Sequence, residues 1–208
     1  MRKHLLIIVL FFSLGFVKAQ IPIIKSNVAD EFKNSSLVYK TFHNKYDLLI
    51  AFRTFSGWRI GNTNYIEILA YKNNSWKKIL LTYPDNNPSK QTIKKSSLNK
   101  IKAKKLMGEL ESQNFWTLSN DSINMQYLKP QTVVANYAKN DTVFIVANFP
   151  HNRISVLDGS SYYFEILQGN NLRSYHTADP EEIAKHFPEV KSRIKFIKSK
   201  AAFENALK

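Results

Sequence analysis

Two glutamates lie in matching strings of the sequence and have the chemistry to serve as the acid and the nucleophile of a glycosidase. Glu67 lies in Tyr-Ile-Glu-Ile-Leu at 65–69, and Glu165 lies in Tyr-Phe-Glu-Ile-Leu at 163–167. A glycosidase needs two carboxyl groups about 5–5.5 Å apart for retention, or about 6.5–9.5 Å apart for inversion. Because the sequence does not set their separation, hydrolysis of a cell-wall or polysaccharide substrate by this pair is one hypothesis.

Other catalytic or metal chemistry has little support in the sequence. The chain has no Cys, and no two of its histidines beyond residue 19 have metal-ligand spacing, so we expect no metal site and no cofactor. His176 lies near Asp179, and we expect it to be a structural histidine on the apolar side of its strand. Ser-x-x-Lys occurs at 75–78, 97–100 and 192–195 without the other motifs of penicillin-recognising enzymes. Catalysis stays an open question, and we expect binding instead.

Residues 1–19 have the pattern of a secretory signal peptide. Arg2 and Lys3 precede an apolar run at 5–12, and Val17 and Ala19 occupy positions −3 and −1 of a cleavage point before residue 20. The apolar run is well short of the ~20 residues that span a bilayer. We therefore expect export to the periplasm or the extracellular medium, with no transmembrane segment after cleavage.

The remaining residues, 20–208, predict a single α+β domain. Runs of β-branched and aromatic residues, separated by turn residues, predict strands at 36–42, 46–55, 65–72, 75–83, 132–138, 142–149, 161–168 and 172–177. Two prolines predict irregular structure over 84–95. Such a pattern indicates an antiparallel sheet of hairpins with an internal helix and a C-terminal helix packed on one face.

Helical signals appear at two places. The periodicity predicts an internal helix over 97–112 with Ser97 as its N-cap and with Leu98, Ile101, Leu106 and Leu110 pointing inward. Asp179-Pro180 predicts the start of a C-terminal helical region, which ends in an apolar stripe of Val190, Ile194, Ile197 and Ala201. The halves 36–112 and 131–208 repeat the same order of elements, so a ββββα pseudo-duplication is one interpretation.

The two clearest hairpins predict which side chains share a face. A two-residue loop at Asn73-Asn74 points Ile66, Ile68 and Ala70 inward, and a three-residue loop at 169–171 pairs Glu165 with Tyr175. Each hairpin then presents rings, a carboxylate and a base on its other face, which suits a glycan or a peptide unless the rest of the chain covers that face. The predicted ligand-binding residues are Tyr65, Glu67, Tyr71, Trp76, Tyr163, Glu165, Arg173 and Tyr175.

Positive charge is concentrated in one part of the chain. The chain carries a formal charge of +14, and residues 77–105 contain nine lysines with Asp85 as the only acidic residue. Such a surface can attract a polyanion, although lysines on a solvated surface are an equally simple explanation. The predicted polyanion-binding residues are Lys94, Lys95, Lys100, Lys102, Lys104 and Lys105. No nucleic-acid motif accompanies them, so an anionic polymer or lipid is the expected partner class.

Together these features predict a small exported bacterial envelope protein. Our first hypothesis is a non-catalytic domain that binds an envelope ligand or protein through the aromatic and carboxylate face of its hairpins. The alternatives are the Glu67/Glu165 hydrolase and a basic protein attached to anionic envelope polymers or lipids.

Overall fold

The structure is a computed structural model that describes residues 21–56, 61–125, 131–137, 141–147, 156 and 159–208. The predicted signal peptide at 1–19 lies outside these residues. The described residues contain the strands β1 (Leu48–Ser56), β2 (Thr63–Lys72), β3 (Ser75–Pro84), β4 (Thr92–Ser97), β5 (Gln131–Tyr137), β6 (Asp141–Ala147), β7 (Ser160–Gln168) and β8 (Asn171–Ala178). Their helices are α1 (Asp30–Lys33), α2 (Leu37–Phe42), α3 (Lys100–Ser112), a 3₁₀ turn (Phe115–Thr117), α4 (Asn120–Asn124), α5 (Pro180–His186) and α6 (Lys191–Leu207).

Six of the strands form one antiparallel sheet in the order β4-β3-β2-β1-β7-β8, and β5 pairs with β6 in a separate two-stranded sheet. The α+β class is therefore confirmed. The first four strands are neighbours in chain order, whereas the strands of the second half are divided between two sheets. The second half therefore does not repeat the strand pairing of the first half.

The six-stranded sheet is buried on both faces along its central strands. Alternate residues of β1 point to opposite sides, with Leu48, Ile50 and Phe52 toward one face and Leu49 and Ala51 toward the other. We call the first the helical face, because residues of α3, the 3₁₀ turn, α4 and α6 pack there. The second is the N-terminal face, because residues of α2 and the segment around it pack there. The predicted packing of the internal and C-terminal helices on one face is confirmed.

The first predicted strand, 36–42, is wrong, because its central residues form α2. The Ser36 side chain accepts a hydrogen bond from the backbone N–H of Tyr39 (3.0 Å), which caps the helix. Val38 and Phe42, four residues apart, are both buried against the N-terminal face. A helical spacing of buried residues was therefore present within a β-branched, aromatic run.

The internal helix begins later than the sequence predicts. Asn99, not Ser97, is its N-cap, and the Asn99 side chain accepts hydrogen bonds from the backbone N–H groups of Ile101 (2.7 Å) and Lys102 (3.4 Å). Ser97 instead ends β4, which begins at Thr92 inside the segment that we expected to be irregular. Leu106 and Leu110 are buried as predicted, but Ile101 is 80% exposed.

The two hairpins differ in how well their registers are predicted. In the β2–β3 hairpin, Asn73 and Asn74 both have positive φ, and the predicted pairing of Tyr71 with Trp76 is confirmed. In the β7–β8 hairpin the loop has two residues, Gly169 and Asn170, instead of three. The predicted register of that hairpin is therefore wrong by one residue, and every side chain of β8 points to the opposite face from the one expected.

Candidate functional site

The eight predicted ligand-binding residues do not lie on one surface. Strand pairing places Tyr163 and Glu165 on the N-terminal face. The other six point to the helical face: Tyr65, Glu67, Tyr71, Trp76, Arg173 and Tyr175. The β2–β3 hairpin thus presents its predicted residues on the helical face, whereas the β7–β8 hairpin divides its residues between the two faces.

The rings on the helical face are largely part of the core. Trp76 and Tyr175 are buried, and both belong to the cluster that contains Leu106 of α3 and Phe203 of α6. Tyr71 packs against Trp76 with a centroid separation of 4.7 Å and is half-buried. Tyr65 is 53% exposed, so it is the one ring of this group that solvent reaches freely.

Arg173 and Tyr175 form a hydrogen-bonded network that holds the chain together. The Arg173 Nε donates to the Tyr175 hydroxyl (2.7 Å), and the Arg173 Nη2 donates to the carbonyl of Leu118 (2.6 Å). The Arg173 Nη1 donates to the carbonyl of Lys25 (3.2 Å), and the Tyr175 hydroxyl donates to the carbonyl of Phe115 (2.5 Å). Burial raises the pKa of Tyr175 to about 12. The donors of both side chains form hydrogen bonds within the protein, so the two residues have a structural role.

The two glutamates point away from each other across the sheet. Glu67 pairs with Phe52, and Glu165 pairs with Ala51, the preceding residue of β1. Adjacent residues of a strand project to opposite faces, and paired residues share a face. Glu67 also lies 3.5 Å from the ammonium group of Lys78. Two carboxyl groups on opposite faces cannot act on one glycosidic bond, so we do not carry the Glu67/Glu165 hydrolase forward.

The N-terminal face carries a different cluster around Arg53. The Arg53 guanidinium lies over the ring of Tyr163 at 4.6 Å and over the ring of Phe55 at 5.0 Å. These two rings contact each other edge to face at 5.3 Å. The Arg53 Nε is buried without a hydrogen-bond partner, and no hydrogen bond or ion pair of the described residues includes its guanidinium. A buried donor without a partner is costly, so the Arg53 guanidinium retains hydrogen-bonding capacity that the described residues do not use.

His176 and Glu165 complete the cluster. The ring of His176 lies 4.3 Å from the ring of Tyr163, and the pKa of His176 is lowered by partial burial and by the positive charge of Arg53. Glu165 is half-buried on the same face, two residues from Tyr163 along β7. The arginine–aromatic site, as we call this cluster, consists of Arg53, Phe55, Tyr163, Glu165 and His176. It combines a guanidinium that lies over two rings, an imidazole whose pKa is lowered below its ordinary value, and a carboxyl group.

Sequence reasoning missed Arg53, Phe55 and His176. Arg53 and Phe55 meet Tyr163 only because β1 pairs with β7, which lies more than 100 residues later in the chain. His176 was expected on the apolar side of its strand, and that expectation is wrong because the loop is one residue shorter. A two-residue loop at Gly169-Asn170, where Gly169 has a φ of +55°, was the signal that would have placed His176 with Tyr163.

The lysines of the basic region occupy two exposed elements. Lys94 and Lys95 lie on β4, and the exposed lysines of α3 are Lys100, Lys102, Lys104 and Lys105. Lys105 lies 3.8 Å from Glu109 one turn later in α3. Solvated lysines with few acidic neighbours are compatible with a polyanion partner and with a plain solvated surface.

Neither the described residues nor the comparisons with known proteins assign a function to the site. The described part of the chain contains no group of three or more His, Asp or Glu residues able to hold a metal ion. Within the same residues, every helix is too short or too polar to span a bilayer. No family model, no curated protein and no solved structure matches this chain.

Proposed function

We propose that this protein is a small exported envelope protein that binds, without catalysis, a carboxylate-bearing ligand at the arginine–aromatic site. The observation that carries the proposal is the state of Arg53. Its guanidinium is fixed by two rings, yet among the described residues it has no hydrogen-bond acceptor and no ion-pair partner. A guanidinium in that state is preorganised to accept a carboxylate in the bidentate geometry that arginine favours.

The other residues of the site narrow the ligand class. Glu165 can accept hydrogen bonds from ligand hydroxyls, and the neutral His176 offers one donor and one acceptor. A carboxylate next to several hydroxyls is the chemistry of an acidic sugar. The ligand proposed is therefore an acidic glycan of the cell envelope.

Binding is tested by calorimetric titration with a named probe. Tri-galacturonate supplies carboxylates and hydroxyls, and its methyl ester removes only the charge. We expect tri-galacturonate to bind the unaltered chain, and we expect the methyl ester and the Arg53→Met variant to bind at least tenfold more weakly, because a charged hydrogen-bonded pair contributes ~1.5–3 kcal/mol. Lys198→Met is the matched control, since it removes one exposed charge from α6 on the opposite side of the sheet.

Export is the second part of the proposal and has its own test. Expression in a Gram-negative host followed by mass spectrometry of the secreted and periplasmic fractions should give a chain that begins at Gln20. Ala19→Arg places a bulky cation at position −1 and should leave the precursor uncleaved. A full-length chain recovered from the cytoplasm of both strains would contradict export.

A second candidate function is attachment to anionic envelope polymers or lipids through the lysines of β4 and α3. The observation in its favour is that all six lysines are exposed on neighbouring segments of the chain. Sedimentation with phosphatidylglycerol vesicles should then fall as salt rises, because the Debye length is ~10 Å at 0.1 M salt. Sedimentation that is absent, or that salt does not change, would discard it.

A further inference from the structure

The two edges of the six-stranded sheet are treated differently by the rest of the chain. At the β8 edge, the Asn27 side chain accepts a hydrogen bond from the backbone N–H of Ser174 (2.7 Å) and donates one to its carbonyl (2.9 Å). The side chains of Asn120 and Asn124 do the same for His176, at 2.8 Å each. Side-chain amides thus occupy the positions that a further strand would take.

The described residues provide no such cover at the β4 edge. The backbone N–H of Leu98 donates to the carbonyl of Trp76 (3.0 Å). Counting back from Leu98 along β4, every second residue therefore forms a hydrogen-bonded pair with β3. In an antiparallel pair the bonded residues alternate, so the backbone groups of Ile93, Lys95 and Ser97 point away from β3. In the described part of the chain, no residue hydrogen-bonds to these outward groups.

The side chains of β4 carry charge to both faces of this edge. All six residues of β4 are exposed, and the adjacent Lys94 and Lys95 project to opposite faces. Lysines on an edge strand oppose pairing with another copy of the same strand, because like charges would meet. The same lysines favour a strand that carries acidic residues at the facing positions.

We propose that the outer edge of β4 accepts an extended acidic segment of a partner protein as a seventh strand. Backbone hydrogen bonds to Ile93, Lys95 and Ser97 would supply affinity, and pairing of acidic side chains with Lys94 and Lys95 would supply selectivity. The partner is thus recognised by strand conformation and charge together. This inference is independent of the arginine–aromatic site, which lies elsewhere on the sheet.

The test uses the full exported chain and a designed peptide. The probe is a ten-residue peptide of alternating Thr and Val with two adjacent Glu residues at its centre. Its controls are the same peptide with Lys in place of Glu, and the acidic peptide with four consecutive N-methylated central amides, which keeps the charge and blocks strand pairing. We expect the acidic peptide to slow amide hydrogen exchange of Ile93, Lys95 and Ser97 at least tenfold, and we expect neither control to do so.

A pair of variants separates the backbone contribution from the charge. Lys95→Pro removes an outward N–H and leaves the β3 ladder intact, since proline is tolerated on an edge strand; Lys95→Ala removes the same charge and keeps the N–H. Binding should fall at least tenfold in Lys95→Pro and by a smaller factor in Lys95→Ala. If Lys95→Pro does not fold, the N-methylated peptide on the unaltered chain decides. Equal binding of the N-methylated peptide, no binding of the acidic peptide, or self-pairing of the protein through β4 would each overturn the proposal.

Discussion

Two arginine–tyrosine pairs lie on opposite faces of the same sheet. On the helical face, Arg173 donates through Nε, Nη1 and Nη2 to oxygen atoms of the protein, and the Tyr175 hydroxyl donates to a fourth group. On the N-terminal face, Arg53 lies on the ring of Tyr163 with no such bond among the described residues. The same residue types therefore have a structural role on the helical face, whereas on the N-terminal face the arginine keeps hydrogen-bond donors for a ligand. What separates the two roles is whether the donors are already used.

The largest expected difference between the two pairs concerns their tyrosines. Tyr175→Ala should lower the free energy of unfolding by ~3–5 kcal/mol, because it removes a fully buried ring together with its hydrogen bonds. Tyr163→Ala should lower the free energy of unfolding by only ~1 kcal/mol, because Tyr163 is half-buried. It should nevertheless abolish binding of tri-galacturonate, because Arg53 loses the ring that positions its guanidinium. Urea unfolding curves measure the first effect and calorimetry the second. Equal losses of stability in the two variants would contradict the different roles assigned to Tyr175 and Tyr163.

The arginines should differ in the same direction by a smaller amount. Arg173→Met should lower the free energy of unfolding by ~2–3 kcal/mol, because the carbonyl of Leu118 and the Tyr175 hydroxyl lose a charged donor. Arg53→Met should leave stability unchanged or raise it, since it removes a buried nitrogen that has no hydrogen-bond partner among the described residues. The two melting temperatures, recorded in one buffer, give the comparison. A larger loss in Arg53→Met than in Arg173→Met would show that the roles are reversed.

The smallest expected effect is the pH dependence that His176 contributes. Burial and Arg53 lower its pKa in the folded chain below the ordinary value of 6.5, so the unfolded chain binds the proton more readily. Stability should therefore fall as pH drops from 6.5 toward the folded pKa, and His176→Gln should flatten that slope. A carboxylate on Arg53 should raise the pKa of His176, so tri-galacturonate should bind more tightly as pH falls through the same window. Identical slopes with and without His176 would remove it from the site.

The part of the fold that the sequence predicts well is governed by local interactions. Asn73 and Asn74 tolerate positive φ, so their loop length and the register of β2–β3 follow from a short stretch of chain. The long helix α6 is also predicted, and Val190 at the start of its apolar stripe is buried. Within the helix, however, the fully buried positions include Arg193, Phe196 and Phe203, whereas Ile194 and Ile197 are half-buried and Ala201 is exposed.

The candidate site could not be predicted because it depends on non-local pairing. Arg53 reaches Tyr163 only through the β1–β7 ladder, and hydrophobic patterning does not specify which strands become neighbours. A difference of one residue in the β7–β8 loop was then enough to exchange Tyr175 and His176 between faces. Local turn geometry and long-range pairing both had to be correct before the site could be located.

The central claim, that Arg53 receives the carboxylate of a ligand, is tested most directly by NMR titration of the ¹⁵N-labelled chain with tri-galacturonate. The Arg53 side-chain Nε–H signal and the backbone amides of Phe55, Tyr163, Glu165 and His176 should shift together to saturation, while the Arg173 Nε–H signal stays unchanged. The methyl ester should produce none of these shifts. An unshifted Arg53 Nε–H signal at saturating tri-galacturonate, or equal shifts at Arg53 and Arg173, would contradict the account.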